Sequence, residues 1–172
     1  MAMGSATLVS VAEYLSTAYS PDRDYVDGLV LDRNLGEFNH SSTQGAICVS
    51  LYDRRREWGI HVYLEMRVQV KATRYRIPDV CAVKGEKPEE QIFTRPPFLC
   101  VEILTEDDRA SEMQERIDDY LQMGVSFVWL VDPGKRRAWI YTSDLIREVK
   151  DGVLRTLDPN IEVPLAEIFA EL

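Results

Sequence analysis

Two apolar runs and the polar segment between them form the clearest hydrophobic pattern in the chain. Residues 98–104 (FLCVEIL) and 126–133 (SFVWLVDP) have the length of buried strands, and the segment between them is helical in its spacing. Gly124 follows that segment at the position of a left-handed C-cap. Strand, helix and strand, with both strands apolar, are typical of a right-handed crossover, so we predict that the two strands pair in parallel. The apolar residues at helical spacing are Met113, Ile117, Tyr120 and Leu121.

Residues 61–70 alternate between polar and apolar side chains, which predicts one half-buried strand across the whole segment. Its polar face carries Glu65 and Arg67. These two residues could form a cross-strand ion pair, or they could line a functional site. A further strand is expected over residues 77–83, and a loop rich in glycine and proline follows it.

The two ends of the chain predict additional elements around these strands. They are a short helix opened by the Ser10–Glu13 capping box and reaching about Ala18, a hairpin at Asp27–Gly28, a longer helix capped by Asn39 or Ser41 and ending near Trp58–Gly59, a last hairpin at Asp151–Gly152, and a terminal helix from Pro164. We therefore predict an α/β protein with a mixed sheet flanked by helices, extended by an N-terminal helix and hairpin.

Length and composition indicate one globular domain over residues 1–172. A chain of 172 residues buries roughly 70% of its unfolded surface, and residues 1–5 are a candidate cloning remnant. No apolar segment approaches the ~20 residues of a membrane span. The first residues show no basic region followed by an apolar stretch, so the expected location is the cytoplasm.

Two carboxylates stand where a strand pattern would not place them. Asp79 follows Pro78 at the start of one predicted strand, and Glu102 lies inside the apolar run of another. An ionised carboxylate in a buried strand costs several kcal/mol unless a cation pairs with it. Each acid also has a structural explanation. Asp79 could end a strand as a turn residue, and Glu102 could pair with an arginine. Together they also suit Mg²⁺, which takes oxygen ligands in phosphodiester chemistry.

Other metal chemistry finds little support in the sequence. The three cysteines, Cys48, Cys81 and Cys100, are widely spaced and are expected to be buried free thiols. Only His40 and His61 are available for a histidine-rich zinc site. A bound metal would therefore depend on oxygen ligands.

The charge of the chain argues against a nucleic-acid partner. The formal net charge is −9 and the pI is near 4.8, whereas phosphate binding normally shows as a basic surface. Basic residues do cluster at 54–56, at 71–76 and at 135–137. Each cluster is either a solvated turn or helix end, or part of a basic patch on an acidic body.

The ordered set of motifs resembles the Uma-type family, whose members are classed as restriction endonucleases in the PD-(D/E)XK nuclease superfamily. The motifs are SVAEYL, the VDG hairpin, His40, the PD dipeptide at 78–79, VEIL at 101–104, and GVSFVWLVDP after the following helix. The similarity covers nearly all of the chain. It implies a restriction-endonuclease-like core and hydrolysis of nucleic-acid phosphodiester bonds, with DNA the expected substrate and Mg²⁺ or Mn²⁺ the cofactor. Asp79 and Glu102 would be the metal-binding carboxylates.

One position departs from the superfamily pattern. The lysine expected two residues after the second acid is Leu104 here, and the Uma-type family has moved that lysine to the following helix, where this chain has Arg116. Arginine stays protonated and cannot take a proton from water, so Arg116 is expected to hold the scissile phosphate.

The resemblance also suggests supporting residues. His40 matches a position that is commonly histidine in the family, and a backbone carbonyl near Ile103 is a candidate third metal ligand. Glu37 and Gln44 are further polar candidates near the same helix. A homodimer is expected by analogy with nucleases that cut duplexes. The alternative is a nuclease fold that has lost catalysis and serves in binding or assembly, which the arginine and the acidity favour.

Overall fold

Three sheets hold the strands of the computed structural model, which describes residues 7–34 and 37–172. The largest is six-stranded and contains, in spatial order, β10 (Ile146–Glu148), β9 (Arg137–Tyr141), β8 (Phe127–Asp132), β7 (Leu99–Ile103), β6 (Val80–Lys84) and β3 (Ile60–Leu64). Its β7 and β8 pair in parallel and its other neighbours are antiparallel, so the predicted mixed sheet and parallel crossover pair are confirmed.

The smaller sheets are antiparallel. One contains, in order, β2 (Leu29–Leu31), β1 (Asp24–Val26), β5 (Arg74–Arg76) and β4 (Val68–Lys71). The other pairs β11 (Val153–Arg155) with β12 (Glu162–Pro164).

The helices are α1 (Val11–Ser16), α2 (Phe38–Asp53), α3 (Arg55–Trp58), α4 (Ala110–Met123) and α5 (Leu165–Ile168). The six-stranded sheet is covered by α2 and α5 on one face and by α4 on the other, whereas α1 packs on the four-stranded sheet through Tyr14. Alternate residues of β7 face opposite ways: Val101 packs in the core beneath α2 and α5, while Cys100 packs in the core beneath α4. None of the helices in the described ranges is long and apolar enough to cross a membrane.

Several predicted boundaries are confirmed. Ser10 is the N-cap of α1 and its Oγ accepts a hydrogen bond from the Glu13 N–H at 3.1 Å. Asp27 and Gly28, with φ of 49° and 97°, form the predicted turn between β1 and β2. Gly124 ends α4 in the left-handed conformation, with φ of 106°.

The prediction of one strand over residues 61–70 is wrong. The chain leaves the six-stranded sheet after Leu64 and enters the four-stranded sheet at Val68. Glu65 at the break has φ of 49°, which is outside the extended range. Burial alternates in the second half, where Val68 and Val70 are buried, whereas in the first half Leu64 is 50% exposed. A polar and apolar alternation in sequence therefore does not show where a chain changes sheets.

Three other boundaries differ from the prediction. Helix α2 begins at Phe38, with Glu37 rather than Asn39 or Ser41 at the N-cap. The turn at Asp151–Gly152 joins β10 to β11, which lie in different sheets, so it is not a hairpin. Asp79 precedes β6 instead of lying inside it. The candidate cloning remnant at residues 1–5 lies outside the described residues.

Candidate active site

The two predicted carboxylates lie side by side on neighbouring inner strands of the six-stranded sheet, where β6 begins and β7 ends. Strands β6 and β7 pair with Val80 opposite Val101, so one step further Asp79 faces Glu102. The Asp79 N–H donates to the Val101 carbonyl at 3.0 Å, which extends the ladder past the end of β6. Both side chains line one small cavity of about 20 Å³, which is room for a single water or ion.

The Asp79 carboxylate is buried and is contacted from three sides. Its Oδ1 lies 2.9 Å from Nη2 of Arg33 and 3.3 Å from Nε2 of His40. Its Oδ2 accepts the Ile103 N–H at 2.8 Å. The Gln44 amide donates to the Asp79 carbonyl at 3.0 Å. These contacts fix both the backbone and the carboxylate of Asp79.

His40 reaches the site from α2, as predicted. Burial opposes ionisation of its imidazole, but the hydrogen bond with Asp79 and the charge of Asp79 outweigh burial and raise the pKa of His40. Its Nδ1 is buried and has no hydrogen-bond partner within the described ranges. A protonated His40 is therefore a second counter-charge for Asp79 and not a free base.

Glu102 is almost completely buried and faces α4. Its Oε2 accepts from Nη1 of Arg116 at 3.0 Å and its Oε1 accepts from the Tyr120 hydroxyl at 2.6 Å. Burial raises the pKa of Glu102 to about 7 even though Arg116 lowers it, and the charge of Asp79 adds to the rise. Glu102 is thus poised to change its charge near neutral pH.

Arg116 points back to the sheet, as its place beside the apolar stripe predicts. Its Nη2 lies 3.1 Å from Oδ2 of Asp24, so the guanidinium bridges Glu102 and Asp24. Asp24 also contacts Arg76 at 3.2 Å and accepts the Ile77 N–H at 3.1 Å. The N-terminal hairpin therefore completes the surroundings of the candidate phosphate-binding arginine.

Sequence reasoning missed Asp24 and Arg33. Asp24 begins the N-terminal hairpin and Arg33 follows it. They lie in the polar segments RD and DRN, which look like exposed turns. Asp24 carries a weak signal in retrospect, because it opens the strand DYV, in which all three residues are buried. For Arg33 the sequence offers no signal.

The other polar candidates lie near the site or apart from it. Gln44 lies 3.4 Å from Glu65, which in turn lies 3.8 Å from Arg33, so Glu65 borders the Asp79 side of the site. Arg67 instead forms a two-bond ion pair with Asp22 at 2.6 Å. The third metal ligand predicted near Ile103 stays a prediction.

The basic cluster before Asp79 is neutralised by acids. Lys71, Arg74 and Arg76 all contact Asp119, at 3.2, 3.1 and 2.8 Å. The cleft next to the site, about 440 Å³, has an acidic lining with one lysine. Its charged residues are Glu37, Glu106, Asp108, Asp132 and Lys135. A basic surface for a phosphate backbone is thus not formed by residues 71–76.

A much larger cavity, about 770 Å³, lies away from this chemistry. Its lining includes Phe98, which directly precedes β7, and Phe127, which begins β8. Both lie at the end of these strands opposite the carboxylates. We place the candidate active site at the small cavity because the strongly perturbed acid lies there.

The donor set fits a hard divalent cation. Asp79 and Glu102 supply carboxylate oxygens in one cavity, and Mg²⁺ is commonly held by one or two carboxylates together with water and substrate phosphate. Across residues 7–34 and 37–172, three or more His, Cys, Asp or Glu side chains do not come together as a ready metal centre. Two carboxylates and an open coordination shell are therefore what these residues can provide.

Comparisons with known proteins agree with this architecture. The model of the Uma2 family, described as “Putative restriction endonuclease”, matches residues 11–168. A crystal structure from Anabaena variabilis ATCC 29413, described as “a putative nuclease belonging to DUF820”, is similar with a TM-score of 0.81 and 17% identity. The match covers 94% of this chain and 98% of that chain, and the likeness shows the fold. No curated protein matches the chain.

Proposed function

We propose that this chain, which belongs to the Uma2 family, is a metal-dependent endonuclease that hydrolyses phosphodiester bonds of nucleic acid, with DNA as the expected substrate. The restriction-endonuclease-like core predicted from the sequence is confirmed. The observation that carries the proposal is the pairing of Asp79 with Glu102 across β6 and β7 at one buried cavity. Nothing in an ordinary sheet requires two acids to face each other there.

Asp79 and Glu102 are the residues that would hold Mg²⁺ or Mn²⁺, with the carbonyl of Ile103 as third candidate. When bound, the divalent cation lowers the pKa of the attacking water. The cavity around these residues is small and buried, which strengthens electrostatic interactions with a reacting phosphate at its mouth.

Arg116 is proposed to stabilise negative charge on the phosphate. It stays protonated at any physiological pH, because its pKa is raised well above its ordinary value by Asp24 and Glu102 against the opposing effect of burial. It therefore serves as a fixed positive charge and cannot accept a proton. Its bond to Asp24 holds the guanidinium toward the carboxylates.

A second candidate function is a nuclease fold that binds or assembles without cutting. The observation that favours it is that each carboxylate already has an arginine counter-ion, Arg33 on Asp79 and Arg116 on Glu102. Such pairs satisfy buried acids without any metal. The proposed homodimer and cytoplasmic location are compatible with either function.

Metal binding separates the two candidates without any guess about substrate. We would titrate Mn²⁺ into wild type and Asp79→Asn by calorimetry, with Asp144→Asn as the control because Asp144 is an exposed acid in the loop after β9. Binding in wild type and Asp144→Asn that is lost in Asp79→Asn supports the enzyme. A cleavage screen on duplex DNA, single-stranded DNA and RNA would follow.

The opposite pattern would count against the enzyme. If Asp79→Asn unfolds the protein while metal binding in wild type is not detected at millimolar Mn²⁺, Asp79 is the acid of a structural ion pair. If all three proteins bind Mn²⁺ equally, the metal is held elsewhere and the proposed site is wrong.

A further inference from the structure

Arg33 is the second arginine at the site, and its contacts suggest how metal binding there is opposed. It lies between β2 and α2, and its side chain is 10% exposed. Its Nη2 lies 2.9 Å from Oδ1 of Asp79 and its Nη1 lies 3.8 Å from Oε2 of Glu65. We propose that Arg33 and a divalent cation compete for Asp79, so that Arg33 acts as an internal counter-ion that lowers metal affinity. The inference rests on the proposed metal site.

Competition follows from how the oxygens of Asp79 are occupied. Oδ2 accepts the Ile103 N–H, and Oδ1 contacts both Arg33 and His40. A cation that binds Oδ1 must share this oxygen with Arg33 and His40 or take the place of one of them. A cation and a guanidinium on the same oxygen would also repel each other.

Arg33 is the partner that can leave at least cost to the fold. The Ile103 N–H is fixed in β7 and His40 is fixed in α2, whereas Arg33 lies outside the regular elements. Displaced from Asp79, its long side chain still has Glu65 within reach. Arg116 is not equivalent, because it lies on α4 between two buried carboxylates.

The test is Mn²⁺ calorimetry on wild type, Arg33→Gln and Arg137→Gln. Arg137 is the matched control, since it pairs with Glu148 at 2.7 Å on the distant strands β9 and β10 and its loss changes the net charge by the same one unit. We expect Arg33→Gln to bind Mn²⁺ roughly tenfold or more tightly than wild type, and Arg137→Gln to bind as wild type does. The gain should disappear in Arg33→Gln/Asp79→Asn.

A chemical rescue gives a second reading of the same competition. Methylguanidinium at tens of millimolar should weaken Mn²⁺ binding to Arg33→Gln and leave wild type unchanged, because only the variant has room for it. If Arg33→Gln does not fold, Arg33→Met replaces it, since methionine is neutral and fills the same apolar path.

The outcomes separate this inference from the proposed function. If a folded Arg33 variant binds Mn²⁺ no more tightly than wild type, while both lose binding with Asp79→Asn, the metal site stands and the competition is overturned. If the folded variant binds no Mn²⁺ at all, both fail, because the carboxylates then hold no metal even without their competitor.

Discussion

The guanidinium of Arg116 lies on the carboxylate of Glu102, with 3.0 Å between Nη1 and Oε2. The two residues come from α4 and β7, the helix and strand of the crossover. A lysine at the Arg116 position would have one charged nitrogen for the two acceptors that arginine bridges, Glu102 and Asp24. Arg116 therefore ties the helix to both the sheet and the N-terminal hairpin.

The variant Arg116→Lys should be less stable than wild type and should cleave DNA more actively. We expect it to lower the free energy of unfolding by about 1–3 kcal/mol, because one of the two buried carboxylates loses one of its charged contacts. We also expect Mn²⁺-dependent cleavage of DNA to rise above wild type, because lysine is the residue that the family resemblance leads us to expect at this position. Thermal denaturation and a plasmid-nicking assay measure the two effects.

The control for this variant is Arg109→Lys, at the N-terminal end of the same helix. Arg109 is 79% exposed and pairs with the exposed Glu112, so stability and cleavage should both stay at wild-type values. If Arg116→Lys and wild type are both inert on every substrate while Mn²⁺ still binds, the assembly role gains support.

Asp24→Asn should be one of the most destabilising single changes near the site. Asp24 is 1% exposed and its Oδ2 contacts two arginines, the buried Arg76 and the partly buried Arg116. Removing its charge leaves them with fewer counter-charges, at a cost of about 3–5 kcal/mol. Urea denaturation measures the loss. Asp32→Asn, at an 80% exposed acid paired with Arg23, should cost under about 1 kcal/mol, and equal effects would contradict the buried network.

The strand-borne carboxylates could be predicted from the sequence because they are local exceptions. An acid inside an apolar run is visible without knowledge of the fold, whereas Arg116 became a candidate only through the family resemblance. The parallel pairing of β7 with β8 follows from the pattern of strand, helix and strand and is confirmed.

The partners of those carboxylates could not be predicted, because they arrive from far along the chain. Arg33 meets Asp79 across 46 positions, and the Asp24 carboxylate meets the Ile77 N–H across 53. No periodic pattern relates such residues, since the contact depends on how the hairpin folds over the site. The break at Glu65 was missed for a similar reason, because alternation continues through Met66 while the backbone turns into another sheet.

Tyr120→Phe should weaken the protein and change the ionisation of Glu102. The Tyr120 hydroxyl donates to Oε1 of Glu102 at 2.6 Å, and this bond lowers the pKa of Glu102. Its loss leaves a buried oxygen unpaired, which costs about 1–3 kcal/mol, and raises the pKa of Glu102 further. Thermal denaturation and NMR titration of Glu102 check the two effects. Tyr52→Phe is the control, since Tyr52 is 48% exposed, and it should change neither quantity.

Glu102 should make stability depend on pH in a direction opposite to that of an ordinary salt-bridged acid. Its pKa in the folded protein is raised to about 7 from an ordinary value of 4.5, mainly by burial. Between these pH values the folded protein binds more protons at this site than the unfolded chain does. The stability contributed by the proton is therefore complete below about pH 4.5 and is lost as pH rises through about 7.

The variant Glu102→Gln lacks this pH dependence, so the difference in stability between it and wild type measures the contribution of Glu102. Glutamine keeps the size of the side chain and stays neutral, so the variant should gain stability relative to wild type as pH rises from 5 to 8, by on the order of 3 kcal/mol. Urea denaturation of both proteins at pH 5, 6, 7 and 8 measures the difference. Glu102 also helps to raise the pKa of His40, so the same comparison in a His40→Gln background separates the two groups. A difference that does not change with pH would mean that Arg116 keeps Glu102 ionised throughout, and the site would then be a permanent ion pair instead of an acid poised near neutrality.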